Sequence, residues 1–125
     1  MRRVLVVEDD VHQLRPLTYA LRQEGYEIAE ATTGYIALAE VARGDPHVIL
    51  LDLYLSGGMN GREFLDEYRR NGGGAKVVVI SGAGRGEPIT KNLVVDEFVG
   101  KPFDLEQLLR TVRRLAYPWR TNDRC

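Results

Sequence analysis

Cysteine is almost missing from this chain of 125 residues, in which Cys125 is the single example. A lone cysteine forms no disulfide and no cysteine-based metal cluster within its own chain, which is typical of proteins from a reducing compartment. Long hydrophobic runs are missing as well. The apolar run at residues 4–7 is too short for a signal peptide, and no later run is long enough to span a bilayer. We therefore expect a cytoplasmic location and no membrane contact.

The chain has no excess of charge of either sign. It contains 17 Lys and Arg against 18 Asp and Glu, with a formal net charge of −1. Nucleic-acid-binding domains carry a basic excess, so we expect no nucleic-acid partner. Apolar residues make up 44% of the sequence, which is typical of a globular protein. A chain of this length buries roughly two-thirds of its unfolded surface, so one domain without disulfides or a structural metal is expected.

Short apolar runs alternate with helical patterns along the chain. Three runs rich in β-branched residues are typical of strands buried on both faces, at residues 4–7, 48–51 and 77–80. Weaker runs at 26–31 and 97–99 predict two further strands. Five strands in strict alternation with five helical segments imply right-handed crossovers. The sequence therefore predicts an α/β fold with a doubly wound five-stranded parallel sheet of flavodoxin-like type, with helices on both faces.

Helix boundaries are marked by capping residues. Thr33, Asn60 and Asp104 precede helical patterns as N-caps, and Asn60 forms a capping-box pair with Glu63. Pro16 is expected to kink the first helix or displace its start. Glycines and a proline between residues 81 and 97 leave room for at most a short helix over 89–95. We predict one domain over residues 1–117 and a tail over 118–125.

Polar residues follow four of the predicted strands at the point where each strand ends. Glu8, Asp9 and Asp10 follow the first strand, Asp52 the third, Ser81 the fourth and Lys101 the fifth. In a parallel α/β sheet these ends meet at one edge. Carboxylates that converge there repel one another, and Mg²⁺ with oxygen ligands relieves that repulsion. Asp10 is better interpreted as the N-cap of the first helix.

The remaining residues at this edge suit a phosphoryl group. A lysine supplies a point charge and a serine hydroxyl supplies a hydrogen-bond donor for an oxyanion. An aspartate is an established phosphoryl acceptor, and phosphoryl transfer depends mainly on positioning and charge neutralisation. Asp52, Ser81 and Lys101 therefore predict a site that holds a phosphoryl group on a carboxylate.

Four segments of the sequence resemble the receiver domain of two-component response regulators. They are residues 4–10 (VLVVEDD), 49–53 (ILLDL), 78–82 (VVISG) and 98–103 (FVGKPF). Each segment is weak alone, but four in the right order at strand ends are specific. The resemblance implies phosphorylation by a histidine kinase or a phosphotransfer protein. It also implies a phosphorylation-dependent interaction with a downstream protein, which the sequence does not identify.

The same resemblance implies a role for each site residue. At the metal, Asp9 is a direct Mg²⁺ ligand together with Asp52, Glu8 acts through water, and the backbone carbonyl of Tyr54 completes the protein's share of the ligands. Asp52 is also the phosphoacceptor. Ser81 hydrogen-bonds the phosphoryl group, Lys101 pairs with it before a cis bond to Pro102, and Phe98 is the aromatic residue that changes rotamer with the switch.

Two segments depart from the family pattern. Ser56 stands where the family often has proline, in a loop one residue longer than the commonest version. The segment between Ser81 and Lys101 is short and rich in glycine. A phosphorylation-independent interaction domain and a phosphorelay sink therefore remain alternatives to a switch.

Enzymatic interpretations agree less well with the residues. A phosphatase would need a second acid two residues after Asp52, where Tyr54 stands. A flavodoxin would place an FMN phosphate against the acidic loop at Glu8, which would repel it. We therefore expect no enzyme beyond catalysis of the domain's own phosphorylation and dephosphorylation.

Overall fold

The structure, a computed structural model, describes residues 1–82, 84 and 86–118. Five strands form one parallel sheet in the order β2-β1-β3-β4-β5. Their bounds are β1 Arg3–Val7, β2 Glu27–Ala31, β3 Val48–Leu51, β4 Lys76–Ser81 and β5 Glu97–Gly100. The strand order changes direction at β1, which is the topological switch point of a doubly wound sheet. The predicted flavodoxin-like architecture is confirmed.

Four α-helices cover the sheet within the described residues. They are α1 Val11–Gln23, α2 Gly34–Arg43, α3 Gly61–Arg70 and α4 Leu105–Ala116. None of the helices in the described part of the chain is long and apolar enough to cross a bilayer. Of the predicted tail over 118–125, only Pro118 lies among the described residues.

The prediction of five helical segments was wrong at residues 89–95. Only a 3₁₀ turn, Pro88–Thr90, forms there. The carbonyl groups of this segment have other partners: the Thr90 hydroxyl donates to Glu87 O at 2.8 Å, and Arg62 Nη1 donates to Ile89 O at 2.9 Å and to Lys91 O at 2.8 Å. An arginine of α3 therefore secures a turn in the place where a helix was expected.

The helix starts agree with the capping predictions. Thr33 accepts from Ile36 N, Asn60 and Glu63 form a reciprocal capping box, and Asp104 accepts from Glu106 N. Asp10 caps α1 by accepting from His12 N at 2.9 Å. Helix α1 begins directly after Asp10 and continues through Pro16, so the proline does not displace its start. A proline removes one backbone donor, and the cap fixes the start independently.

The core has two layers, one on each face of the sheet. Val4 and Val6 of β1 pack with α1 and α4, whereas Leu5 and Val7 pack with α2 and α3. This alternation follows from the period of two along a strand. Because both faces are covered, the strand ends are the part of the sheet that is open for chemistry.

Gly61, the first residue of α3, lies against the backbone that follows β3. Its N–H donates to Leu53 O at 2.7 Å, and a Cβ at this position would overlap the carbonyl oxygen of Asp52. Glycine is therefore required here because no side-chain atom fits. This contact fixes helix α3 directly against the residue predicted to accept the phosphoryl group.

Candidate functional site

Three carboxylates converge at the carboxyl ends of β1 and β3. One oxygen each from Glu8, Asp9 and Asp52 lies within 4.8 Å of the others. Strands β1 and β3 are direct neighbours with Val7 opposite Leu51, so the residues that follow these strands lie side by side. Glu8 and Asp52 are buried, and Asp9 is partly exposed. The sheet therefore brings together the three acidic residues that the sequence predicts at this edge.

Lys101 lies directly between two of these carboxylates. Its Nζ is 2.8 Å from Glu8 Oε1 and 3.0 Å from Asp52 Oδ2. Burial alone would lower the pKa of Lys101, but the hydrogen bonds to Glu8 and Asp52 outweigh it and raise the pKa above the ordinary lysine value. Lys101 therefore keeps its positive charge beside Asp52 throughout the neutral pH range. The bond from Lys101 to Pro102 is cis, as the resemblance implies.

The second oxygens of Glu8 and Asp52 accept backbone N–H groups. Tyr54 N donates to Asp52 Oδ1 at 3.0 Å, and Asp10 N donates to Glu8 Oε2 at 3.1 Å. Burial and the nearby charge of Asp52 raise the pKa of Glu8 against the opposing effect of the Lys101 hydrogen bond. Hydrogen bonds to both oxygens of each carboxylate fix its orientation in the site.

Asp9 is held by the loop that departs from the family pattern. Ser56 donates twice to Asp9 Oδ2, from its N at 3.1 Å and from its Oγ at 2.9 Å. Partial burial acts to raise the pKa of Asp9, but hydrogen bonds, chiefly the two from Ser56, together outweigh it and hold the pKa below its usual value. Asp9 therefore stays ionised, and a proline in place of Ser56 would lack both donors.

The donor set fits a hard divalent cation. Carboxylate oxygens are the ligands that Mg²⁺ prefers, and it binds through one or two carboxylates while keeping several waters. Asp9 is partly exposed and Asp52 lies beside it, so these two residues are able to hold such an ion with Glu8 behind them. The backbone N–H of Tyr54 donates to Asp52. Metal binding by the Tyr54 carbonyl stays a prediction.

Ser81 and Phe98 occupy the neighbouring strands. Ser81 ends β4, is buried, and lies opposite Gly100 in the sheet register, while its carbonyl accepts from Lys101 N at 3.1 Å. Phe98 of β5 lies opposite Val79 of β4 and is partly buried against the core layer of α2 and α3. Both residues stand at the predicted end of the sheet. Their roles in binding a phosphoryl group and in switching stay predictions.

Three contacts of the site escaped the sequence analysis. They are the bonds from Ser56 to Asp9, from Lys101 Nζ to Gln13 Oε1 at 2.7 Å, and from Tyr54 Oη to Glu87 Oε1 at 2.6 Å. For Gln13 a local signal existed: it stands three residues after the N-cap Asp10, at the position of a capping box. For Ser56 the signal was its place in a family pattern that favours proline.

With the fold and site in place, comparison with known proteins defines the family. A model of the response regulator receiver domain matches residues 4–113. The chain therefore belongs to the response regulator receiver domain family of two-component signal transduction.

Named relatives agree with this assignment. The sensory transduction protein RegX3 of Mycobacterium tuberculosis is 36% identical over 117 residues, which cover 90% of this chain and 50% of that protein. The DNA-binding response regulator MtrA of Mycobacterium leprae is 33% identical over 114 residues, which cover 90% of this chain and 50% of that protein. The chain thus spans about half the length of these curated relatives.

Solved structures give the same result. A CheY-like receiver domain protein from Methanospirillum hungatei superposes with a TM-score of 0.86 at 26% identity, covering 98% of both chains. The response regulator TrrA from Thermotoga maritima, solved in complex with Mg²⁺-BeF, has a TM-score of 0.79 at 31% identity and covers 92% of this chain and 99% of its own. The fold and the family assignment are therefore consistent.

Proposed function

We propose that this receiver domain accepts a phosphoryl group on Asp52 from a phosphohistidine of a histidine kinase or a phosphotransfer protein. The observation that carries the proposal is the position of the Asp52 carboxylate. One of its oxygens bonds Lys101 at 3.0 Å, and the carboxylate lies within a group of acidic oxygens that suits Mg²⁺. Phosphoryl transfer needs positive charge around the phosphoryl oxygens, which Lys101 supplies on one side and a bound Mg²⁺ would supply on the other.

The transfer needs the phosphohistidine donor and one proton from water. An oxygen of the Asp52 carboxylate attacks phosphorus, and the new O–P bond forms as the P–N bond of the donor phosphohistidine breaks. The bonding electron pair returns to the imidazole nitrogen, which takes up a proton. The products are an aspartyl phosphate and a neutral histidine. The domain is in this proposal a phosphoacceptor that assists its own modification, with no separate substrate to turn over.

Different residues of the site have different proposed roles in the transfer. Asp9 and Asp52 would hold Mg²⁺ with Glu8 behind them, and the ion when bound neutralises charge between carboxylate and phosphoryl oxygens. Lys101 Nζ lies beside Asp52, where it can hydrogen-bond an oxygen of the attached phosphoryl group. The Ser81 hydroxyl is proposed to donate to a second phosphoryl oxygen. The phosphorylated form, which carries about −1.5 to −2 charge on Asp52, would then bind a downstream protein in the cytoplasm.

Intact mass spectrometry after incubation with acetyl phosphate and Mg²⁺ tests the proposal. The parent protein should gain the mass of one phosphoryl group, and Asp52→Ala should gain none while remaining folded by circular dichroism. Asp66→Ala, which removes an exposed aspartate of α3, is the matched control and should be modified like the parent. Normal modification of Asp52→Ala would refute the assignment. A folded parent that takes up no phosphoryl group would favour a phosphorylation-independent interaction domain.

A further inference from the structure

The ammonium group of Lys101 has a third partner outside the predicted site. Its Nζ donates to Glu8 Oε1 at 2.8 Å, to Asp52 Oδ2 at 3.0 Å and to Gln13 Oε1 at 2.7 Å. A lysine ammonium has three N–H donors, so these three acceptors use all of them. The bond to Gln13 is the shortest of the three, and Gln13 belongs to helix α1.

The Gln13 side chain does not make the capping-box hydrogen bond that its position in the sequence predicts. Asp10 and Gln13 have capping-box spacing, in which the Gln13 oxygen would accept the backbone N–H of Asp10. That N–H instead donates to Glu8 Oε2 at 3.1 Å, which leaves Gln13 Oε1 to accept from Lys101. The Gln13 amide nitrogen donates to Asp10 Oδ2 at 3.1 Å. Gln13 is therefore fixed at both ends of its amide, between the helix cap and Lys101.

The chemistry of an amide suits this place. Lysine is a long and flexible side chain, so an ammonium held from one side alone has several rotamers available. A carboxylate at residue 13 would hold it equally well, but it would add a negative charge to a site that already contains Glu8, Asp9 and Asp52. An anionic phosphodonor would be repelled by that extra charge. The amide supplies an acceptor without this cost.

We propose that Gln13 is a positioning residue for phosphoryl transfer, which keeps the ammonium of Lys101 against the Asp52 carboxylate. The inference rests on the proposed function of Asp52. Within the described residues the hydrogen bonds of Gln13 go to Lys101 and to the Asp10 cap, and of these two partners Lys101 is the one that contacts Asp52. Loss of its side-chain oxygen should impair transfer without impairing metal binding.

The kinetic test compares Gln13→Leu with the parent at saturating Mg²⁺. The initial rate of modification by acetyl phosphate should fall about tenfold, the lower end of the effect expected for one lost hydrogen bond to a charged group. Mg²⁺ affinity, measured by titration, should not fall. Gln23→Leu removes an exposed glutamine from the last residue of the same helix and is the matched control, with the rate of the parent. A Gln13→Leu rate equal to that of the parent, or a rate that falls together with Mg²⁺ affinity, would overturn the proposal.

A second readout needs no phosphorylation. The sequence contains only two other lysines, Lys76 and Lys91, and both are exposed. The side-chain ammonium of Lys101 can therefore be assigned by NMR. The Lys101 Nζ signal should shift and its protons should exchange faster in Gln13→Leu. Gln13→Glu keeps an acceptor in the same place, so it should retain slow exchange while accepting phosphoryl groups more slowly than the parent. An unchanged Lys101 signal in Gln13→Leu would contradict the positioning role.

The two readouts separate the two proposals. If the parent takes up no phosphoryl group, the proposed function fails, whereas the Lys101 signal still reports whether Gln13 holds the ammonium. If the parent is modified and Gln13→Leu matches it in rate and in the Lys101 signal, the proposed function stands and the role of Gln13 is wrong.

Discussion

The phenol oxygen of Tyr54 donates a hydrogen bond of 2.6 Å to Glu87 Oε1, across 33 positions of sequence. Tyr54 lies two residues after Asp52, and Glu87 lies in the segment that follows Ser81. The other oxygen of Glu87 accepts from Gly84 N at 3.2 Å. An exposed side chain therefore joins the loop after Asp52 to the glycine-rich segment that follows the neighbouring strand β4.

Removal of this hydroxyl should change the titration of Glu87. The hydrogen bonds from Tyr54 and from Gly84 N hold the pKa of Glu87 below its ordinary value of 4.5. The contact is therefore complete above that value and is lost as the pH falls through the lowered pKa. In Tyr54→Phe the pKa of Glu87 should rise toward 4.5, since only the Gly84 bond remains. NMR titration of the Glu87 carboxyl carbon measures this shift.

Tyr19→Phe is the matched control for Tyr54→Phe, because Tyr19 is an exposed tyrosine on α1. It should leave the pKa of Glu87 and the amide signal of Gly84 unchanged. An equal Glu87 titration in Tyr54→Phe and the parent would mean that the bond is not formed in solution.

A phosphoryl mimic should perturb one side of the site more than the other. With Mg²⁺ and beryllofluoride, we expect backbone NMR shifts from Ser81 to Val99 that exceed those of α2 and α3. The reason is that a donor on Ser81 would be drawn toward the phosphoryl group, and the segment through Glu87 would follow it, which opens space beside Phe98. Helix α4 should change mainly at exposed positions near Arg110 and Arg114. Shifts confined to the carboxylates and Lys101 would instead indicate a phosphorelay sink.

Asp9→Asn should weaken Mg²⁺ binding and slow phosphorylation. A hard cation loses a charged oxygen ligand, and we expect at least a tenfold loss of affinity, roughly the lower end of the effect of changing an outer partner of a metal site. Isothermal titration with Mg²⁺ measures it. Asp10→Asn is the control, because Asp10 caps α1 and asparagine is an equally good N-cap. If both variants bind Mg²⁺ like the parent, Asp9 is not a ligand.

Tyr68→Phe should destabilise the fold away from the site. The buried Tyr68 hydroxyl donates to Asp45 Oδ1 at 2.7 Å and accepts from Ala75 N at 2.8 Å. Its loss leaves a backbone donor without this acceptor, which costs about 1–2 kcal/mol in free energy of unfolding. Urea denaturation measures the loss. Tyr35→Phe, which changes an exposed tyrosine on α2, should cost nothing measurable.

The same tyrosine makes stability depend on alkaline pH. Burial and the hydrogen bond to Asp45 raise the pKa of Tyr68 above the ordinary tyrosine value of 10.0. The unfolded chain therefore releases this proton at a lower pH than the folded protein, so the stability of the parent falls as the pH rises above that value. Tyr68→Phe should lack this part of the decline. Parallel stability curves for the two proteins at high pH would contradict this assignment.

Local patterns predicted most of the fold and the centre of the site. The β-branched runs, Thr33, Asn60 and Asp104 act through neighbours in sequence, and strand ends place Glu8, Asp52 and Lys101 together by topology alone. The helical segment over 89–95 was mispredicted because Arg62, which bonds two of the carbonyl groups there, comes from a helix distant in sequence.

Contacts between distant side chains lie beyond such patterns. Asp9 and Ser56 are 47 positions apart, and Gln13 and Lys101 are 88 positions apart. No periodicity or cap connects these pairs, because their distance depends on the finished fold and on side-chain rotamers. The sequence predicted only that Asp9 and Lys101 lie at the same edge of the sheet, and not which side chains contact them.

The close approach of Gly61 to Asp52 packs helix α3 directly against one side of the site. Because Gly61, the first residue of α3, lies against the backbone of Asp52 and Leu53, we expect any shift of Asp52 to require a shift of this helix as well. In the segment after β4, by contrast, a Cβ added to Gly82, Gly84 or Gly86 would meet nothing within 4 Å. If a phosphoryl group is placed on Asp52, we therefore expect the β4–β5 side to move while α3 stays in place, because steric freedom is greater on that side.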